Sequence, residues 1–315
     1  MKLQLSIWIY LLGIVFSFAQ VEGKSVPFVA YWSKGDSYDF MITKINTKWK
    51  GDQIEQKDSS AYFTTFTVID STKNSYKINW KAKMNLSNMP AEYGDLLNSN
   101  TIAFDFIYKT NELGEFQGIE NWKEVREKVE QQFEVIIKEQ NSKLSKENQE
   151  KVRQGIKPLL DILLSKDGIE LIVLKELTYF HFPFGAEFET SEVIEFEDEL
   201  PNLFGGRSLK TDAKIYFKEV DEENGFCSFV HEMNINPEDS KEMVKNLFQQ
   251  MGSISNSEID ETLSGKFDIK DYNYFEYYYY PGVPYFIETN RTSEVDNGKF
   301  QAKKTETIRI ELLLD

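Results

Sequence analysis

The densest run of aromatic side chains in the sequence extends from Tyr272 to Tyr280. If this run is a β-strand, alternate side chains point to opposite faces. Tyrosine offers an apolar ring with a polar tip, so such a face suits a lipid, a glycan or a peptide. The spacing therefore predicts a ligand-binding groove formed by Tyr272, Tyr274, Tyr278 and Tyr280. The alternative is a hairpin packed between a sheet and its helices.

Residue types that serve hydrolases and metal sites are scarce. His181 and His231 are the only histidines, and Cys227 is the only cysteine. The sequence contains no HExxH motif, no paired cysteines, no GxSxG elbow and no glycine-rich phosphate loop. We therefore predict no catalytic residue, no metal ligand and no cofactor, and we expect the two histidines and the thiol to be structural. A glycosidase needs only two carboxylates, so that route to catalysis stays open.

An acidic stretch extends from Glu192 to Glu199. Its spacing matches no loop that brings carboxylate oxygens together around calcium. We interpret it as a solvated strand edge, where like charges discourage pairing with another sheet.

The chain carries 36 basic and 52 acidic residues, which gives a net charge of −16 at pH 7. Nucleic-acid binding draws its affinity from lysine and arginine that neutralise phosphates, and no basic stripe interrupts the acidic surface. Attraction to bare anionic lipid is disfavoured for the same reason. Charge therefore excludes nucleic acid as a partner without naming another.

The first nineteen residues have the three parts of a secretory signal peptide. Lys2 precedes an apolar stretch from Ser6 to Phe16, and the small residues Ser17 and Ala19 follow. We expect residues 1–19 to be cleaved and the protein to be periplasmic or extracellular. A lipoprotein would need a cysteine at the cleavage site, and Cys227 is far downstream. No later stretch is long enough to span a membrane, so the mature chain is predicted to have no transmembrane segment.

Two periodicities predict the elements that position these side chains. Alternation with period two indicates strands within residues 26–32, 38–85, 102–108, 192–196, 209–220, 225–235, 266–280, 284–295 and 299–313. An apolar stripe that follows a capping box of Asn121 and Glu124 predicts a helix. Further helices are predicted at residues 145–155, 157–165 and 167–180, and after Asn236.

These elements predict an α+β fold, in which about ten long antiparallel strands pack against several helices. We assign residues 20–315 to a single β-rich domain, with a helical insertion at about 121–182.

The layout resembles uncharacterised secreted proteins of Gram-negative bacteria, which look like relatives of the periplasmic lipoprotein-carrier fold. The resemblance rests on Lys34 to Tyr38, on the hairpin that ends at Tyr76 to Trp80, and on Tyr280 to Pro284. It implies a long, strongly curved antiparallel β-sheet, an open or half barrel, with helices over its concave side. The chain departs from the carriers in an opening strand, where they have a helix, and in a longer helical insertion. The resemblance carries over no functional residue.

The sequence thus predicts a non-catalytic envelope or secreted protein that binds an apolar or amphipathic, lipid-like ligand on the concave face of its sheet. The alternatives are a secreted glycoside hydrolase with paired carboxylates and a protein-binding accessory module without a small ligand. A deep, aromatic-lined cavity would favour the ligand-binding protein. Two facing carboxylates in an open cleft would favour the hydrolase. A filled interior with an exposed apolar patch would favour the protein-binding module.

Overall fold

The computed structural model describes residues 24–85, 101–140, 145–173, 175–251, 260, 263–298 and 301–314. The predicted signal peptide, residues 1–19, lies outside these residues.

Most of the described chain is β-strand. Two short strands pair with each other, β1 (Ser25–Pro27) and β7 (Glu187–Glu189). The large sheet contains β2 (Ser37–Lys50), β3 (Gln53–Ser71), β4 (Ser75–Asn85), β5 (Thr101–Asn111), β6 (Phe116–Ile119), β8 (Ile194–Leu200), β9 (Leu209–Asp221), β10 (Phe226–Ile235), β11 (Lys266–Tyr278), β12 (Val283–Asp296) and β13 (Gln301–Leu312).

The strands of the large sheet follow the order β6-β5-β4-β3-β2-β13-β12-β11-β10-β9-β8, and every neighbouring pair is antiparallel. Each half is a meander of consecutive strands, and the halves join where β2 pairs with β13. Within the described residues β6 and β8 are the two edges, so the sheet is open. The prediction of a long antiparallel sheet of about ten strands with several helices is confirmed.

The helices α1 (Trp122–Gln140), α2 (Lys146–Leu163) and α3 (Lys175–His181) occupy the connection between β6 and β7. A fourth helix, α4 (Pro237–Met251), follows β10. None of the described helices has the length and apolar character needed to cross a membrane.

Two details of the helical prediction were wrong. The helices expected at residues 145–155 and 157–165 are one helix, with Pro158 inside α2. Leu160 and Leu164 follow the proline and pack against the main core, which offsets the missing amide donor. The helix expected at residues 167–180 is divided into a single turn (Lys166–Gly168), a π-helix (Ile169–Val173) and α3.

Because side chains alternate along each strand, the apolar ones gather on one face of the sheet. The helices pack on that face, which we call the helix-covered face. Phe180 of α3 packs there against Phe40, Phe66 and Trp80, with ring centroids 5.3–5.4 Å apart. Phe275 of β11 is fully buried on the same face and stacks on Phe229 of β10 at 4.7 Å. The opposite side is the open face. The main core therefore lies between the sheet and α3.

The segment before β2 crosses the helix-covered face. Phe28 contacts Phe229 and Tyr277 in one half of the sheet, and Trp32 contacts Phe66 and Tyr76 in the other. The indole of Trp32 also donates a buried hydrogen bond of 2.8 Å to the carbonyl of Gly282. The strand predicted here is shorter than expected, because only Ser25–Pro27 is paired as β-structure.

Candidate ligand-binding cavity

The aromatic run of β11 alternates between the two faces as predicted. Phe275 and Tyr277 are fully buried on the helix-covered face, whereas Tyr272, Tyr274 and Tyr278 lie on the open face. Tyr280 follows the end of β11, is mostly exposed and packs against Tyr31 at 5.2 Å.

On the open face, Tyr278 packs against Phe226 and Tyr285 of the neighbouring strands, at 5.4 and 5.9 Å. Tyr274 is half-buried, and its hydroxyl donates to Glu276 at 2.7 Å. The predicted site residues thus form an aromatic surface on the side of the sheet that the helices leave uncovered.

A cavity lies on the opposite face of the same strands. Its volume is about 380 Å³, at the lower end of the range for small-molecule sites. Strands β10, β11 and β12 contribute His231, Met233, Ile235, Ile269, Asp271, Asn273 and Arg291. The helices, the π-helix and the turn after α3 contribute Leu171, Lys175, Thr178, Tyr179, Phe182 and Met243. The strand β8, the loop after it and the start of β9 contribute Asp198, Leu200, Pro201, Leu203, Phe204 and Leu209.

The cavity lies where two apolar clusters meet. Leu209, Ile235 and Ile269 belong to a small cluster beneath α4, whereas Phe182 packs against the main core beneath α3. Apolar side chains therefore form most of its wall, and polar groups occupy a limited part of the strand surface.

His231 and Asn273 form the uncharged polar part of that surface. They lie directly opposite each other on β10 and β11. Both are buried, and neither His231 Nε2 nor Asn273 Oδ1 has a hydrogen-bond partner within the part of the chain that the structure describes. The imidazole is stacked between Phe182, at 4.5 Å, and Phe196, at 6.2 Å. Its orientation is therefore fixed by packing rather than by hydrogen bonds from its Nε2.

The charged part of the surface is made of ion pairs. Arg291 donates from Nε and one terminal nitrogen to the two oxygens of Asp271, at 2.7 and 2.6 Å. Asp271 is buried, so this two-point contact compensates a carboxylate removed from water. Beside it, Lys175 of α3 lies 3.5 Å from Glu306 of β13. The first pair joins β12 to β11, and the second joins α3 to β13.

Burial and these pairs shift the protonation equilibria. Burial lowers the pKa of His231 to about 4, against the opposite effect of the Asp271 and Asp198 carboxylates. Burial and the charge of Asp271 raise the pKa of Tyr179 to about 12. Burial and the charge of Arg291 lower the pKa of Lys175. Burial acts to raise the pKa of Glu306, but Lys175 and Lys304 outweigh it and the pKa is lowered.

These shifts define what the arrangement does chemically. His231 is neutral at physiological pH, and Glu306 and Asp271 are held beside cations. A glycosidase acid needs a carboxyl whose pKa is raised so that it carries a proton, whereas the pKa of Glu306 is lowered. At physiological pH the strand surface therefore presents a neutral imidazole beside paired charges.

His181, Cys227 and the acidic stretch lie in surroundings that give them structural roles. Both ring nitrogens of His181 are bonded, to Tyr108 and to the Gly114 carbonyl, each at 2.8 Å. Cys227 is buried, which raises the pKa of its thiol to about 12. β8 lies at an edge of the sheet, as its acidic stretch predicted. Among the described residues, no group of three or more histidine, cysteine, aspartate or glutamate side chains is arranged to hold a metal ion.

His231, Asn273, Asp271 and Arg291 were not predicted as site residues. A signal was present in β11, because Phe267, Ile269, Phe275 and Tyr277 place residues of odd number on the buried face. Asp271 and Asn273 share that parity, and polar residues at core positions are a sign of a specific role. The adjacent tyrosines, at even numbers, gave a stronger but different pattern.

Comparison with known proteins finds no family model that matches the chain, and no curated protein matches it significantly.

Proposed function

We propose that this is an exported, non-catalytic protein that binds a small apolar or amphipathic molecule in the cavity beneath α3. The observation that carries the proposal is the combination of a mostly apolar cavity of about 380 Å³ with a few fixed polar groups on its strand side. Small-molecule sites have this composition: apolar walls for affinity and few polar groups for orientation. The signal-peptide pattern supports the exported location.

This proposal keeps the ligand class predicted from the sequence but moves the site. Tyr272, Tyr274 and Tyr278 line an open surface, whereas the cavity is a half-open recess between the opposite face and the helices. A recess removes more apolar ligand surface from water than an exposed face does, and that removal is the main source of affinity for such ligands.

Binding of the uncharged fluorophore N-phenylnaphthylamine tests the proposal. Thr178 is an exposed residue of α3 that lines the cavity, so Thr178→Trp should fill its entrance without removing a core contact. We expect the variant to bind the fluorophore about tenfold more weakly or not at all. Asn74→Trp, in the exposed turn between β3 and β4, adds the same side chain on the other half of the sheet and should bind like the wild type.

The open tyrosine surface provides the opposing test. A Tyr274→Ala/Tyr278→Ala double variant should keep its affinity for the fluorophore. If this variant loses binding and Thr178→Trp does not, the ligand lies on the open face and the cavity proposal fails. Native mass spectrometry of protein purified from its own envelope then identifies what accompanies it.

A further inference from the structure

We propose that the cavity selects an uncharged amphiphile that carries a hydroxyl group, which is held between His231 and Asn273. This inference rests on the proposed function, because it assigns the polar end of the same ligand. Its evidence is the pair of buried polar atoms that lack a partner. His231 is 6% exposed and Asn273 is 2% exposed, and both line the cavity.

The placement of the two side chains allows one small group to reach both. They are directly opposed across β10 and β11, and opposed residues of antiparallel strands have Cβ atoms about 4.5–5.5 Å apart. A buried polar atom without a hydrogen bond costs about 1–3 kcal/mol. A ligand group that satisfies both atoms therefore gains affinity that a purely apolar molecule lacks.

The chemistry of the two atoms favours a hydroxyl. Asn273 Oδ1 is an acceptor and requires a donor. His231 Nε2 either donates or accepts, according to the tautomer, and burial keeps the ring neutral. A hydroxyl group has one donor and two acceptor lone pairs, so it donates to Asn273 and accepts from a protonated Nε2 at the same time. An ether lacks the donor that Asn273 needs.

A carboxylate or phosphate head group fits this surface poorly. Arg291 is engaged by both oxygens of Asp271, and Lys175 lies beside Glu306. Asp198 adds another carboxylate to the cavity wall. An anionic ligand would therefore add a negative charge where each cation already has an anionic neighbour, and burial of an uncompensated charge is costly.

Competition for the bound fluorophore at neutral pH tests this selectivity without any mutation. Decanol, decyl methyl ether and decanoate share an alkyl chain and differ in the head group. We expect decanol to displace N-phenylnaphthylamine about tenfold more effectively than either of the others. Equal competition by all three would overturn the inference, and so would a preference for decanoate.

Two variants assign the preference to residues. Asn273→Leu and His231→Phe should bring decanol to the level of the ether while the fluorophore still binds. Asn234→Leu is the matched control, because it makes the same change on the open face of β10 and should leave the preference intact. A decanol preference that survives both cavity variants would also overturn the inference. If the fluorophore binds and Thr178→Trp blocks it, loss of head-group selectivity refutes only the hydroxyl proposal, not the proposed function.

Discussion

His181 and His231 are both buried and neutral, yet their surroundings differ. His181 has a partner for each ring nitrogen, Tyr108 and the Gly114 carbonyl. His231 has aromatic rings on two sides and a buried Nε2 without a partner. The first is a cross-link within the core, and the second retains a hydrogen-bonding atom for another molecule.

Lowering the pH should reduce the free energy of unfolding, because both buried histidines are neutral in the folded protein. A histidine has a pKa of about 6.5 in an unfolded chain, and burial lowers it to about 4 in both residues here. Between these values the unfolded state binds more protons, so their contribution is complete above about pH 6.5 and decreases as the pH falls towards 4. Each histidine then accounts for about 3 kcal/mol over that range.

We expect His231→Phe to remove the part of the pH dependence of stability that comes from His231. Phenylalanine keeps the stacking on Phe182 and Phe196 and does not titrate. Urea unfolding at pH 7 and pH 4.5 measures it. The free energy of unfolding of the variant, relative to the wild type, should rise by about 2–3 kcal/mol at the lower pH. An unchanged difference would mean that His231 is solvated and charged in the folded protein.

At this scale the sequence predicted chemistry by residue type but not by environment. It correctly indicated that His181 has structural surroundings. It did not indicate that His231 and Asn273, which are separated along the chain, become opposite neighbours in the sheet. That contact depends on the register of β10 and β11, which the packing of the whole face determines.

At the scale of elements, the junction between α2 and the π-helix depends on a close approach of the backbone. A Cβ atom on Gly168 would lie 2.0 Å from the carbonyl oxygen of Ile162 and 2.9 Å from that of Leu163. Among the described residues, no atom outside the adjoining helix backbone lies within 4 Å of a Cβ atom placed on Gly155 of α2. Substitution by alanine should therefore change the stability in opposite directions at the two glycines.

Gly168→Ala should destabilise the protein by about 1–3 kcal/mol, because the backbone around the junction must shift. Gly155→Ala should stabilise it by about 0.5–1 kcal/mol, because alanine favours a helix. Urea unfolding of both variants tests this. If both variants change stability in the same direction, the close contact at Gly168 does not constrain the fold.

Most elements were predictable because their signals are local. Alternation and turn residues predicted the long strands to within a few residues, and the stripe after Asn121 predicted α1. The errors occurred where tertiary contacts override local preference. Pro158 is tolerated inside α2, and the chain after Gly168 is wound as a π-helix, because both segments pack against the core.

At the scale of the molecule, an open sheet exposes two edges, and the edge at β8 is strongly acidic. Glu195 and Glu197 are exposed on β8, whose unpaired side is a template for another strand. Glu195→Thr/Glu197→Thr removes two charges and raises strand propensity there.

We expect this double variant to form dimers as its concentration rises, measured by sedimentation equilibrium. The control combines Asp212→Thr on β9 with Glu294→Thr on β12, which makes the same change in charge at positions paired on both sides. Dimerisation of both variants to the same extent would attribute the effect to net charge rather than to the edge.

The antiparallel architecture followed from the sequence pattern, whereas the strand order did not. Hairpins between consecutive strands are local, but the pairing of β2 with β13 is not. The sequence of neither strand indicates that the other is its pairing partner. The site is equally non-local, since the π-helix, two helices and several strands surround the cavity.

The pairing of β2 with β13 also determines when the protein folds. β2 is the first strand of the large sheet to leave the ribosome, and the strand that covers its free edge is the last. The edge of β2 that β13 covers therefore stays unpaired until the end of synthesis. Contacts between segments this distant in sequence also form slowly. A chain with this strand order exposes an unpaired strand edge until its last strand is present, and an unpaired edge is prone to aggregate.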